Sequence, residues 1–421
     1  MRVVTADEFR RASAKSVALP IEAVRPLLEE VKEHGDEGVR RLTRRFDGVE
    51  LQSLRVEREE IAAAYRSVEP ELVAAITRSV ERLRSFCARQ LAAYQDFDME
   101  IEPGCFIGQR VVPIARVGVY VPGGRFPLIS SVYMGVVPAR VAGVEEVVLC
   151  SPPSWQGSVH PAILAAADIA GADEVYRIGG VQAIGAMAFG TETIRRVDKI
   201  VGPGNTFVTA AKKEVYGQVG IDFVAGPSEV LVIADESASP ELLAADLLAQ
   251  AEHDPDACPL LVTTSATLAN RVHDEVERQL QSLPTADTAR LALERNGAMI
   301  LVASVEEAIL VANERAPEHL ELQVCDPAPY LAGLRNYGSL FVGGGAAEAL
   351  GDYSSGLNHV LPTNGAAHYT GGLSVRDFLK VQTVLRVQGK VATAPLEDGI
   401  RLAEAEGLAG HARSLRMRQR R

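Results

Sequence analysis

The chain has 421 residues, of which 47% are hydrophobic and 23% charged, and its formal net charge is −12. That length exceeds one ordinary hydrophobic core, so two or more domains are expected. The negative charge disfavours nonspecific nucleic-acid binding, and no apolar run is long enough for a membrane span, so neither partner is expected.

The opening "MRVVTADEFRRAS" is followed by charged amphipathic sequence rather than an apolar secretory core, which predicts a cytoplasmic location. Five scattered cysteines (Cys87, Cys105, Cys150, Cys258, Cys325) form no C-x-x-C pair and read as reduced thiols. Apolar periodicity predicts helix through residues 24–95, in "VRPLLEEVKEHGDEGVRRLTRRF" and "LVAAITRSVERLRSFCARQLAAY". From residue 115 short β-branched runs (117–121, 147–150, 175–178, 230–234) alternate with Ala-rich helical segments such as "HPAILAAADIAGA" and "NTFVTAAKKEVYGQV". Such alternation implies βαβ units and a mostly parallel sheet. It continues through "PLLVTTS", "GAMILVA", "HLELQV" and "GSLFVGG".

The predicted fold is therefore α/β, with two Rossmann-like doubly wound modules and a junction near Pro227-Ser228. Small N- and C-terminal helical segments flank them, and from about residue 373 the chain is expected to return to helix and polar loop. The tail "RSLRMRQRR" reads as a solvated end.

Ligands of doubly wound sheets gather beyond the carboxyl ends of the strands. The glycine-rich turns "VYVPGGR", "RIGGVQAIG", "VGPGNTF" and "AGPSEV", and the longer "FVGGGAAEALGDYSSGLNHVLPT", each follow a strand-like run. Their backbone amides suit phosphates or carboxylates, although each is also an ordinary βα turn. No G-x-G-x-x-G fingerprint is present, so the residues alone do not show a standard dinucleotide site.

The stretch "SPELLAADLLAQAEHDP", residues 239–255, has the start and stop signals of a helix: Ser239 as N-cap, Pro240 in its first turn, Asp254-Pro255 at its end. At about 100° per residue, Asp246, Gln250 and His253 fall within roughly 60° of one another and make a narrow polar stripe on an apolar helix. Such a stripe faces water, an internal network or a ligand, and the i, i+3 pair could reach one metal ion.

Three further clusters carry chemistry-bearing side chains. Glu318 and His319 stand at a strand entry and are candidate acid/base residues. Asp352 and His359 lie in a glycine-broken loop, and Glu406 and His411 in "AEAEGLAGHARS". Gln250, His253, Asp352 and His411 together offer an amide oxygen, two imidazoles and one carboxylate, a chemically coherent zinc shell whose convergence spacing alone does not show.

The blocks "VGVYVPGG", "GGVQAI", "VDKIVGPGN", "GPSEVLVIAD", "DLLAQAEHDP", "APEHLEL", "GDYSSGLNHVLPT" and "AEAEGLAGHARS" resemble, in order and over nearly the whole chain, the histidinol dehydrogenase family. The resemblance implies a zinc- and NAD-dependent four-electron oxidation of L-histidinol through L-histidinaldehyde to L-histidine, the last steps of histidine biosynthesis. It implies Gln250, His253, Asp352 and His411 as ligands of one zinc per subunit, with Asp246 supporting them, and Glu318 and His319 as the catalytic pair. His319 would take the alcohol proton, and Glu318 would activate the water that adds to the aldehyde. Ser228 and Glu406 match substrate contacts, alongside Gln250, His253, Glu318, His319, Asp352 and His411, while Tyr120, Gln182 and Asn205 match NAD contacts.

The resemblance further implies a homodimer in which Glu406 and His411 act in the neighbouring subunit's site. The expected division is an N-terminal segment 1–23, a first module of 24–118 with 229–372, a second of 119–228, and a C-terminal segment 373–421. The loops "PGGRFPLISSVYM" and "GGLSVRDFLKVQTV" are similar to relatives that oxidise other small alcohols such as sulfopropanediol, and Arg125 would suit their anionic group. A zinc hydrolase is a third reading, because a metal with a Glu-His pair also suits water activation.

Overall fold

A computed structural model describes residues 1–12, 19–123, 126–389 and 392–419. In chain order the strands are β1 (Arg2–Thr5), β2 (Phe97–Glu102), β3 (Cys105–Pro113), β4 (Arg116–Tyr120), β5 (Glu146–Cys150), β6 (Glu174–Tyr176), β7 (Lys199–Val201), β8 (Gly220–Ile221), β9 (Glu229–Ala234), β10 (Cys258–Thr263), β11 (Ala298–Leu301), β12 (His319–Gln323), β13 (Ser339–Val342) and β14 (Leu379–Val387). They form a five-stranded parallel sheet of order β6-β5-β4-β7-β8, a six-stranded parallel sheet of order β1-β11-β10-β9-β12-β13, and a three-stranded antiparallel sheet β14-β3-β2. The fold is mixed α/β with parallel sheets, as expected.

The central strands β4, β5 and β9 are buried on both faces, which is why they read as near-continuous apolar runs rather than alternating ones. Helices cover both faces of the five-stranded sheet. The helices Pro70–Leu91, Ile129–Ala142 and Pro161–Ala170 share one core with Val117, Val119 and Leu149. On the other face Ile21–Asp47, Gly180–Phe189 and Thr206–Val215 pack around Tyr120, Val148 and Ile200. The helices of 24–118, grouped with 229–372 in the sequence reading, thus lie on the five-stranded sheet, because their apolar stripes (Val24, Leu28, Val31; Ile76, Val80, Leu83) meet its faces.

The six-stranded sheet is covered in the same way, with Pro240–Ala251 and Ala266–Leu280 on one face and Val305–Arg315 on the other. Its edge strand β1 comes from the N-terminal segment and pairs with β11, Arg2 opposite Ala298. Three further strands escaped the periodicity reading. β2 and β3 follow the helical stretch, and β14 interrupts the expected helix and loop beyond residue 373 by pairing antiparallel with β3. Every residue of β14 after Leu379 is exposed, so its apolar alternation serves no core of this chain. The helices Thr393–Ala405 and Ala409–Gln419 close the chain as a hairpin whose apolar cluster (Ile400, Ala403, Ala412, Leu415) is its own. No described helix is long and apolar enough to cross a membrane.

Candidate active site

The helix Val305–Arg315 stops at Ala316, which adopts a left-handed φ of 48°, and Pro317 then commits the chain to β12. This sharp entry puts Glu318 and His319 at the amino end of the strand, between β9 and β13, both buried. Glu318 Oε2 accepts the Glu229 N–H at 2.9 Å, which pins its carboxylate to the first residue of β9. His319 Nδ1 lies 3.1 Å from the Glu229 carbonyl, 3.7 Å from Glu348 Oε1 and 3.8 Å from Glu318 Oε2. On the other side of the ring, Nε2 stands 3.4 Å from Asp352 Oδ1.

The helix Pro240–Ala251 starts as predicted, with Ser239 accepting the Leu242 N–H, and its carboxyl end delivers Gln250 and His253 to the same place. Gln250 is fully buried, and its amide is oriented by its neighbours: the nitrogen donates to Glu348 Oε1 (3.0 Å) and the Glu229 carbonyl (3.2 Å), and the oxygen accepts from His253 Nδ1 (3.2 Å). His253 is exposed at the rim. Asp246, one turn earlier, accepts from Gln323 Nε2 at 2.8 Å, which also reaches Glu321 Oε2 at 2.8 Å. The other oxygen of Glu321 accepts the Glu348 N–H at 2.9 Å, so the polar stripe is tied through β12 to the helix Glu348–Tyr353.

That short helix carries a residue that sequence reasoning missed. Glu348 is 3% exposed and, with His319 and Asp352, forms a group whose ligand atoms lie within 4.8 Å of one another. The signal was present in "EALGD", where i, i+4 spacing places both carboxylates on one helical face. His359 ties the site to the other module: Nδ1 contacts the Asp352 carbonyl at 2.8 Å and Nε2 the Ser131 hydroxyl at 3.4 Å. Ser228 adjoins Glu229, half-buried, with its carbonyl accepting from the Cys258 N–H at 2.9 Å. Glu406 and His411 are exposed on the C-terminal hairpin and are not among the groups that surround His319 in this chain. Arg125 lies outside the described residues.

Electrostatics at the site is dominated by buried acid. Burial pushes the Glu318 carboxyl up to about 8, with His319 opposing the shift. Glu348 is raised well above its usual range by burial, with the nearby carboxylates of Asp352, Glu321 and Glu318 adding to the effect. For His319 burial disfavours the cation, but Glu348, Glu318 and Asp352 outweigh it and raise the imidazole well above its ordinary value. An amide oxygen, imidazoles and an excess of carboxylates suit a divalent cation or a cationic substrate.

The residues matched to NAD contacts lie elsewhere, at the carboxyl ends of the five-stranded sheet. Tyr120 is buried at the end of β4, and its hydroxyl accepts the Gly180 N–H at 3.2 Å. Gln182 is buried just beyond, and its Oε1 has no hydrogen-bond partner among the described residues. Asn205 caps the helix Thr206–Val215 through the Phe207 and Val208 amides. Between them Gly202 has φ 116°, and a Cβ there would lie 2.1 Å from the Tyr120 carbonyl, so the turn hugs β4 as only glycine allows. An orphaned buried amide oxygen and a glycine-lined helix entry fit a bound dinucleotide.

The histidinol dehydrogenase family model matches residues 10–419. The chain is 49% identical over 397 residues to the histidinol dehydrogenase of Methanothermobacter thermautotrophicus, covering 94% of this chain and 93% of that one. It is 50% identical over 398 residues to the histidinol dehydrogenase of Thermus thermophilus, covering 94% of each. Its fold superposes on the crystal structure of histidinol dehydrogenase from Elizabethkingia anophelis with a TM-score of 0.94 at 38% identity, over 100% of this chain and 97% of that one. A shared sequence from end to end, a shared fold, and acid/base side chains gathered at one buried point together make this chain an oxidoreductase of the histidinol dehydrogenase family.

Proposed function

We propose that this chain oxidises L-histidinol through L-histidinaldehyde to L-histidine with two NAD, and that it does so as a homodimer holding one zinc per subunit. The observation that carries the substrate is the excess of buried carboxylates around His319. A substrate with an ammonium and an imidazole is attracted to that field, whereas a sulfonated diol is repelled by it. The strand orders β6-β5-β4-β7-β8 and β11-β10-β9-β12-β13 support reading both parallel sheets as Rossmann-like modules. On that reading the module spanning 119–228 serves the nucleotide, and the one built on 229–372 serves the chemistry.

In the proposed mechanism His319 removes the alcohol proton as hydride leaves the carbinol carbon for the first NAD, giving the aldehyde. Glu318 then takes a proton from the water that adds to the carbonyl, and the hydrate loses a proton and a second hydride to give the acid. Glu318 suits this role because burial raises its pKa towards neutrality, where it can both take and return a proton. Zinc would be held by Gln250, His253, Asp352 and His411, and supplies a positive charge that anchors the substrate's nitrogens. Ser228 and Glu406 would complete the substrate contacts. Tyr120, Gln182 and Asn205 would hold NAD in turns that replace the usual glycine fingerprint.

Two features support a dimer that shares its sites. Glu406 and His411 ride on a hairpin that packs only a small core of its own. The three-stranded sheet also exposes one apolar face, with Phe97, Met99 and Ile101 on β2 and Val381 and Leu385 on β14, of the kind a second subunit covers. The decisive experiment counts NADH per substrate consumed by the zinc-loaded protein, with L-histidinol and sulfopropanediol in parallel. Two NADH per histidinol is the expected result. Turnover of the sulfonated diol with silence towards histidinol would move the chain to the paralogous reading, and product formation without NAD would favour a hydrolase.

A further inference from the structure

The ordinary dinucleotide fold places an acidic residue about 20 residues beyond its glycine-rich turn, where it holds the ribose hydroxyls. Here the corresponding strand β5 runs out into Ser151-Pro152-Pro153, with no carboxylate. One arrives instead from outside the module's own strands. The helix Ile21–Asp47 packs on the five-stranded sheet beside Gly180–Phe189, and its last residue, Asp47, accepts a hydrogen bond from Gln182 Nε2 at 3.1 Å.

The position is an odd one for structure alone. A carboxylate at a helix carboxyl end opposes the helix dipole. Asp47 has no ion-pair partner among the described residues, although Arg44 and Arg45 stand in the same turn. Gly48 follows with φ 68°, which turns the chain away and leaves the exposed carboxylate at the helix end. Gln182, its one hydrogen-bond partner among the described residues, is 1% exposed and there keeps its own Oε1 unpartnered. The Tyr120 hydroxyl, pushed up to about 12 chiefly by burial, also feels the Asp47 charge, so the three side chains form one polar corner. A buried orphan acceptor, a phenol and an open carboxylate form a site that wants hydroxyl donors.

We propose that Asp47 binds the nucleotide, its carboxylate accepting the hydroxyls of the adenosine ribose, and that it thereby selects NAD over the 2′-phosphorylated cofactor. The inference rests on the NAD-binding reading of Tyr120 and Gln182 and extends it to a residue on a different helix. A vicinal diol gives two donors to one carboxylate, whereas a 2′-phosphate would set like charges against each other.

The test is equilibrium binding to the intact protein, read by fluorescence titration with NADH, NADPH and 2′-deoxyadenosine-NADH. For wild type, the 2′-deoxy analogue and NADPH should each bind about tenfold or more weakly than NADH, as loss of a charged hydrogen bond predicts. Asp47→Asn should weaken NADH about tenfold, weaken the 2′-deoxy analogue, which keeps only its 3′-hydroxyl, by much less, and erase most of the discrimination against NADPH. Asp47→Glu should recover part of it. If Asp47→Asn binds NADH as wild type does and still rejects NADPH, the proposal is overturned while the NAD reading stands. If it weakens NADH and the 2′-deoxy analogue equally, Asp47 acts only through Gln182 and the proposal also fails. Wild type that binds no NADH would overturn both readings.

Discussion

His319 presents Nδ1 to the Glu229 carbonyl at 3.1 Å and Nε2 to Asp352 Oδ1 at 3.4 Å, so the two ring nitrogens face different partners. A carbonyl accepts only from N–H, which fixes the proton on Nδ1 and leaves Nε2 as the nitrogen that exchanges one. Nε2, 3.4 Å from Asp352 Oδ1, is the nitrogen that the proposed mechanism sets against the substrate hydroxyl. The surrounding carboxylates favour the protonated ring, and a cation held beside Asp352 would weaken that hold and let the ring act as the proposed base. His319→Asn should therefore lower kcat by roughly 10²–10⁴-fold while circular dichroism and melting stay near wild type. Activity within a few-fold of wild type would remove His319 from the acid/base role.

In the proposed mechanism Glu318 has a different task from its neighbour. Its Oε2 is anchored by the Glu229 N–H, and the carboxyl is raised to about 8. Glu318→Gln keeps the shape and an acceptor oxygen but cannot take a proton. Oxidation of L-histidinaldehyde should fall by a factor of roughly 10² or more, whereas reduction of the same aldehyde by NADH, which needs no added water, should fall much less. Equal losses in the two directions would refute a water-activating role.

The parallel strands were legible because they are buried on both faces, so β4, β5, β9, β10 and β12 announce themselves as short apolar runs between turns. β2, β3 and β14 were not. "FDMEIE" and "LKVQTVLRV" do alternate, but their apolar side faces no core of this chain, and no local signal tells β14 to pair with a strand far behind it. The site divides in the same way. Gln250 and His253 were visible as a stripe, since one helix sets their spacing. Their meeting with Glu348 and Asp352 depends on the Glu321 carboxylate accepting the Glu348 N–H, a tertiary contact that periodicity does not encode. Ligands were expected beyond carboxyl strand ends, and the NAD-matched turns are there, but Glu318, His319 and Glu229 sit at the amino ends of β12 and β9.

The carboxyl pair behind the site makes stability depend on pH. Burial and the Asp246 carboxylate push Glu321 up to about 8 from an ordinary 4.5. A group whose folded pKa lies above its unfolded one gains a proton on folding, so stability is greatest below the unfolded value and falls as pH rises through the folded one. Wild type should lose on the order of a few kcal/mol between about pH 5 and pH 9, a shift this large corresponding to about 1.4 kcal/mol per unit. Glu321→Gln mimics the protonated form and should flatten that slope. Melting temperatures across the range check this, and an unchanged slope in the variant would assign the pH dependence to other groups.

The proposed sharing of sites between two subunits can be tested by complementation. His411→Ala and His319→Asn should each be inactive, the first for want of a metal ligand and the second for want of a base. In a hybrid of the two, one site would combine the wild-type His319 of one subunit with the wild-type His411 of the other, provided the C-terminal hairpin crosses between subunits. Unfolding and refolding an equal mixture, or coexpressing the pair, should then restore about a quarter of wild-type activity, since half the dimers are hybrids with one intact site of two. If each hairpin instead folds back on its own subunit, every site in the hybrid carries one defect and the mixture stays silent.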